Sequence, residues 1–253
     1  MLRTSGLFIS LLFFMTCSFI RVQAQDTIPM PLKINIGLEL SGPAIYYSDK
    51  NIQNTEAYIS VDLDEKRSAF FSAGHLNYKY SQYNYSYLNK GSFVRIGMDF
   101  NMLKPDKSLG KYWLGIGLRY GLSRFNSATP TLFKSNYWGT ITYSLPNNTY
   151  WGHFVEVSPG VRAEIFKYFS IGWAVSLRAL LYTGTGKDLK PVYFPGFGNG
   201  TKTISTAMSY YIVLNIPYKR INAIIKKEAP EENDDTKDKG TESNTQQGNT
   251  IRQ

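Results

Sequence analysis

The chain has 253 residues, a formal net charge of +9, and 43% hydrophobic and 15% aromatic residues. Such a composition excludes a largely disordered chain. One Cys excludes a disulfide framework, and two His leave little for a His-rich zinc site. The length suits one domain or two small ones, and a closed all-β barrel can use all of it.

Residues 1–24 read as an export signal. Arg3 supplies the positive start, and residues 7–15 form an apolar stretch too short to cross a bilayer as a helix. Val22-Gln23-Ala24 places small residues where a signal peptidase reads them, so Gln25 is the expected new N-terminus. The rival is lipoprotein processing at Cys17, against which Thr16 argues. Residues 25–32 read as a periplasmic lead, 33–218 as a barrel and 219–253 as a disordered charged periplasmic tail with seven basic and seven acidic residues. The best candidate for a transmembrane helix, 171–181, is too short and carries Arg178. Membrane entry would therefore require a barrel, because only helices and closed barrels satisfy every backbone group in lipid.

Eight segments alternate with period two: 33–41, 55–64, 68–80, 92–103, 112–124, 152–165, 168–182 and 203–216. The pattern is plain in the fifth. Leu114, Ile116, Leu118, Tyr120 and Leu122 share one face, opposite Gly115, Gly117, Arg119, Gly121 and Ser123. The third is least clear and reads with Phe70, Leu76 and Tyr78 outward, and His75, Asn77 and Lys79 inward. Connections after even-numbered segments are short: 65–67, 104–111 and 166–167. Those after odd-numbered segments are long: 42–54, 81–91, 125–151 and 183–202. An even strand count with short and long connections in alternation is the pattern of periplasmic turns and extracellular loops.

Alternation alone does not separate a membrane barrel from a soluble one with an apolar interior. Residue size does. One face is Ile, Leu, Val, Phe, Trp and Tyr; the other is Gly, Ser and Ala interleaved with charges. A water-facing strand surface has little use for glycine, whereas a cramped lumen needs small residues beside long charged ones. The inward set holds Lys33, Lys79, Arg95, Arg119, Arg162 and Arg178 against Glu39, Glu56, Asp62, Asp99, Glu156 and Glu164. Six charges of each sign in a narrow interior point to an ion-paired filling instead of an open pore. The candidate network is Lys33, Glu39, Asp62, Arg95, Asp99, Arg119, Glu156, Arg162, Glu164 and Arg178.

The long connections carry the basic excess and many aromatics, so Tyr85, Tyr87, Lys90, Lys134, Tyr137, Trp138, Lys187, Lys190 and Tyr193 are candidate outer-surface contacts. They suit a glycan or protein partner, or an aromatic girdle with cations near anionic headgroups. No catalytic constellation emerges. His153 falls on the lipid-facing side and Glu156 on the lumenal side, and His75 has no evident partner in sequence. Pro195-Gly196-Phe197-Gly198 reads as a turn and not a phosphate loop, since no helix follows.

Several stretches are distinctive together: Lys90-Gly91-Ser92-Phe93-Val94-Arg95-Ile96-Gly97-Met98-Asp99-Phe100-Asn101, Gly117-Leu118-Arg119-Tyr120-Gly121-Leu122-Ser123, Tyr137-Trp138-Gly139, Gly160-Val161-Arg162-Ala163-Glu164-Ile165-Phe166 and Pro195-Gly196-Phe197. Through them the chain resembles a Bacteroidota family of small exported proteins of unknown function, regarded as outer-membrane β-barrels. The resemblance covers residues 34–218 and implies the barrel fold and the outer membrane. It brings no activity, substrate or catalytic residue.

The expectation is an all-β protein: an eight-stranded antiparallel up-and-down transmembrane β-barrel of the Gram-negative outer membrane, both termini periplasmic. Its expected role is structural or interaction-based, as an accessory envelope component with a closed, ion-paired lumen. The alternatives are a narrow channel for protons or small solutes and a lipid-modifying outer-membrane enzyme. No cofactor, metal or nucleic acid is expected. Outer-membrane lipid, lipopolysaccharide and an envelope protein complex are the expected partners.

Overall fold

Period-two alternation becomes eight long strands in a computed structural model that describes residues 27–82, 85–184 and 191–225. The long strands are β1 (Thr27–Glu39), β2 (Ile52–Asp62), β3 (Arg67–Gln82), β4 (Tyr85–Asn101), β5 (Tyr112–Asn136), β6 (Gly139–Phe166), β7 (Phe169–Thr183) and β10 (Ile204–Ile224). A two-residue pair, β8 (Tyr193–Phe194) and β9 (Gly198–Asn199), makes a separate small sheet between β7 and β10. Every pairing is antiparallel, each long strand lies beside its neighbours in sequence, and β10 returns to β1 to close the ring. The protein is thus all-β, built on one large antiparallel sheet. The expected signal segment, Lys187, Lys190 and the tail beyond Ile225 lie outside the described residues.

At the end where β1 begins and β10 ends, here the near end, local chemistry explains the short connections. Between β2 and β3 the Asp64 carboxylate accepts from the Lys66 N–H at 2.8 Å, the Arg67 N–H at 2.7 Å and the Arg67 Nε at 2.8 Å. Partial burial works to raise the Asp64 pKa, but these donors outweigh it and hold the carboxyl below its ordinary range. Between β4 and β5 a single helical turn, Pro105–Ser108, starts on proline and ends with Leu109 and Gly110 at positive φ. Between β6 and β7 only Lys167 and Tyr168 intervene, with Tyr168 at φ 71°.

The far end departs from expectation. Residues 81–91 are not a loop: β3 and β4 stay paired out to Gln82 and Tyr85. Residues 125–151 are mostly strand as well, and β5 and β6 project as a hairpin to Asn136 and Gly139. These stretches are rich in Tyr, Ser, Thr and Asn and carry little of the large aliphatic alternation that marks the rest of each strand. Residues 42–54 include a helix, Ser41–Ser48. Both barrel boundaries also move outward. Six further pairs, from Thr27 with Ile224 to Leu32 with Lys219, extend β1 and β10 past the expected limits at 33 and 218, with a register shift between Leu32 and Lys33.

Side chains separate by face as the alternation requires, with β3 as the exception. Phe70 and Leu76 are buried inside, Tyr78 also faces inward, and Phe71 is exposed outside. His75 and Lys79 share the outward parity of Phe71. Segment three thus faces opposite to the expected sense, because its outward face bears Ala69 and Ala73 while its inward face bears Phe70, Leu76 and Tyr78. Elsewhere the exterior carries Leu38, Ile59, Ile96, Leu118, Val157 and Ile171, all exposed, and the interior carries Asn35, Glu56, Arg95, Glu156, Ser158 and Ser176, all buried. An aromatic layer of Tyr58, Phe70 and Tyr211 crosses the lumen, with Tyr58 5.3 Å from Phe70 and 5.1 Å from Tyr211.

Candidate functional site: a charged lumen under an aromatic plug

Five strands deliver charged side chains to one level of the interior. Glu156 of β6 is the hub. It accepts from Arg95 Nη1 of β4 at 2.6 Å, Arg178 Nε of β7 at 2.7 Å and Arg119 Nη1 of β5 at 3.0 Å. Arg95 also pairs with Glu56 of β2 and donates from Nε to the Ser72 hydroxyl at 3.1 Å. Arg119 bonds Asp99 at 3.1 Å, and its guanidinium lies 3.6 Å over the Phe70 ring. Three guanidiniums therefore face three carboxylates. Arg95 and Glu156 are each only 1% exposed. Charges so withdrawn from water are tolerated only when fully paired.

Period two puts these residues at this level, and small neighbours give them room. At Gly117 a Cβ would sit 2.4 Å from Asp99 Oδ1 and 3.0 Å from Arg119 Nη2, so glycine vacates the space that their ion pair occupies. At Gly121 a Cβ would come within 2.2 Å of the Phe154 ring. The glycine-rich inward face thus admits both long charged and aromatic side chains.

Above this cluster, the turn between β8 and β9 folds into the far mouth. Phe194 and Phe197 stack at 4.7 Å; Phe125 lies 5.3 Å from Phe194, and Phe154 lies 5.7 Å from Phe197. Tyr193 stacks on Tyr78 at 5.1 Å, and its carbonyl accepts from Asn89 Nδ2 and, at 3.3 Å, from the Tyr87 hydroxyl. Arg178 Nη1 donates to the Phe197 carbonyl at 3.3 Å and ties the plug to the charged cluster. Gly196, at φ 75°, lies against Phe93, where a Cβ would approach to 2.6 Å. The Pro195-Gly196-Phe197-Gly198 stretch is indeed a turn, but one tucked inside the barrel. The interior space is divided into small cavities. One of ≈ 80 Å³ lies under the plug beside Glu39, Glu56 and Arg178; two of ≈ 40 Å³ lie beside Tyr58 and Arg119 and beside Lys33 and Asp62. The smaller two have room for only a few waters.

Of the ten candidate network residues, Arg95, Asp99, Arg119, Glu156 and Arg178 come together, and Lys33 pairs with Glu164 near the other mouth. Three are placed otherwise. Glu39 accepts from the Ser41 and Gly42 N–H groups at 2.9 and 2.8 Å and so holds the start of the Ser41–Ser48 helix. Asp62 accepts from the Lys33 N–H, Asn35 Nδ2 and the Ser68 hydroxyl at 3.0, 3.1 and 2.9 Å. The Arg162 guanidinium lies 5.9 Å from the Trp113 ring. Glu56, inward by alternation but outside the ten, is a full member of the cluster.

The outer-surface candidates divide. Tyr137 and Trp138 stand 92% and 89% exposed at the tip of the β5–β6 hairpin, and Lys90 and Lys134 are also exposed. Tyr87 is a correction: its strand continues inward-facing parity past Asn89, and the side chain is 3% exposed beneath the plug. Tyr193 is likewise turned onto Tyr78, and Tyr85 packs 5.4 Å from Tyr80. No sequence signal marks the phenylalanine plug, since Phe194 and Phe197 sit in a Gly/Pro stretch without periodicity. Both His face outward: His75 Nδ1 lies 3.0 Å from the Ser92 hydroxyl, and His153 Nδ1 lies 2.6 Å from the Tyr120 hydroxyl.

A family model described as a domain of unknown function (DUF6048) matches residues 2–221. Neither the curated proteins nor the solved structures yield a match.

Proposed function

The chain belongs to the DUF6048 family, a domain of unknown function that covers all of the ring up to residue 221, and from that premise we propose that it is an outer-membrane β-barrel of structural or interaction type. Its lumen is closed, both termini lie in the periplasm, and the protein serves as an accessory component of an envelope complex.

The observation that carries this reading is inverted polarity. The ring's exterior exposes Leu38 at 59%, Ile96 at 63%, Leu118 at 50% and Ile171 at 50%, while Arg95 and Glu156 are buried in its interior. Withdrawing each such Leu or Ile from water is worth roughly 1.5–3 kcal/mol, and a belt of them around a whole ring is unsustainable in water. A bilayer supplies the missing apolar surroundings. Exposed aromatics flank the belt, with Tyr112, Phe166, Tyr168 and Tyr218 toward the near end and Tyr120, Trp151 and Tyr182 toward the far end, as interfacial girdles would. Among the described residues no helix is long and apolar enough to cross a membrane, so strands are the crossing elements in this reading.

The Arg95–Glu156 cluster and the phenylalanine plug favour a scaffold over a conduit, because they block the lumen at two levels. The projecting β5–β6 hairpin, with Tyr137 and Trp138 at its tip, is the element best placed to meet a partner outside the bilayer. Two measurements test the proposal. The protein is expected in the outer-membrane fraction and to migrate faster on gels before boiling than after; a freely soluble periplasmic product overturns the membrane reading. Affinity capture from membranes is expected to return a reproducible envelope partner that is lost when residues 133–142 are removed.

A further inference from the structure

The near mouth of the ring opens into a cleft of ≈ 410 Å³ lined by cations of four elements: Lys33 of β1, Lys111 before β5, Lys167 of the β6–β7 turn and Arg220 of β10. Lys33 is already engaged, by Glu164 and, at 2.6 Å, by the Gly110 carbonyl. Among the described residues no carboxylate pairs with Lys111, Lys167 or Arg220, and Lys167 only lies 5.2 Å from the Tyr168 ring. The cleft therefore presents three uncommitted cations around a concave, partly apolar floor that includes Pro31 and Pro217. Such a lining has the charge to suit a short anionic segment.

The same chain carries one within reach. The described residues end at Ile225, five positions beyond Arg220, and the next acidic run is Glu231-Glu232-Asn233-Asp234-Asp235, four carboxylates in five residues. We infer that this run folds back and docks in the cleft, its carboxylates against Lys111, Lys167 and Arg220.

The reach can be worked out. The five residues after Arg220, four of them in β10, carry the extended chain about 17 Å, at ~3.3 Å each. Returning that distance takes at least five or six residues, which brings Glu231 to the cleft and leaves slack for Asp235. Glu228, only three residues from Ile225, falls short. A single exposed ion pair is weak. Three cations meeting four carboxylates on a tether of ten residues or fewer gain from a millimolar effective concentration. The cleft lies within the family match to residue 221, and the acidic run lies beyond it.

Zero-length carbodiimide crosslinking of the purified full chain, read by mass spectrometry, tests this. Expected are links from Lys111 and Lys167 to carboxylates of 231–235, within one molecule when isotopically light and heavy protein are mixed. Raising the salt to about 0.5 M should cut their yield about fivefold, because the Debye length shortens. The variant E231Q/E232Q/D234N/D235N should abolish them, and Glu228→Gln should leave them intact. Links from the run to Lys226, Lys227 or Lys237 show that the chemistry works. Finding those alone, or finding Lys111 and Lys167 linked only between molecules, overturns the inference. Amine labelling supplies a second arm. Lys111 and Lys167 are expected to react several-fold faster in the quadruple variant. Equal reactivity in both, with protection arising only when vesicles of anionic phospholipid are added, assigns the cleft to a lipid headgroup and overturns tail docking.

Discussion

Glu156 is the residue on which the interior charge balance turns, since among the described residues it alone touches all three of Arg95, Arg119 and Arg178. Replacing one partner of a buried charge cluster leaves the others uncompensated, a loss of about 3–5 kcal/mol. Glu156→Gln should therefore lower unfolding stability in lipid or detergent by that order, visible as a shift in denaturant midpoint. An unchanged midpoint would show that water or counterions reach the cluster. Asp64 is a milder case with a clear sign. Its carboxyl is held below the ordinary range when folded, so its contribution is present above the unfolded-state pKa and lost as pH falls through the folded one. Asp64→Asn should be less stable than the parent at neutral pH, and the two should converge in acid; a constant gap down to low pH would discount the turn.

Among the elements, the β8–β9 turn and the β5–β6 hairpin play opposite parts. The first is packed into the mouth on four phenylalanines, the second stands clear of the ring. Phe197→Ala should cost about 3–5 kcal/mol, as for other buried aromatics. It should still leave planar-bilayer conductance at background, because the arginine–carboxylate cluster blocks the lumen beneath. Steady conductance in that variant would show that the plug alone is the gate. Trimming the hairpin at 133–142 should leave heat-modifiable migration unchanged, since the ring's own ladders close below that level. What was legible in the sequence follows the same division. Segments with large apolar residues on one face and Gly, Ser or charge on the other announced their strands, and with them Arg95, Arg119, Glu156 and Arg178. Where the rule reversed, in β3 with Phe70 inside and Ala69 outside, the assignment inverted. Where it lapses, in the Tyr/Ser/Asn stretches and around Phe194, no alternation distinguishes paired strands from loops, and nothing in the turn at 195–198 marks that it is buried.

For the whole molecule, the consequence of closing β1 against β10 is kinetic. Seven of the eight ladders join strands that follow one another in the chain or are separated only by the small β8–β9 sheet, whereas the eighth joins Thr27 to Ile224, across nearly the entire described chain. Loop closure over such a separation is slow. Until it happens β1 and the most recently formed strand are open edges, ready to pair with a neighbour instead. Nascent chains are thus exposed to misassembly until the last strand arrives, and an escort that shields β1 would be worth more than one that speeds any hairpin. A chain stopped at residue 203 should form the consecutive hairpins yet accumulate as oligomers on size-exclusion chromatography, and a separately supplied β10 peptide should return it to a monomer.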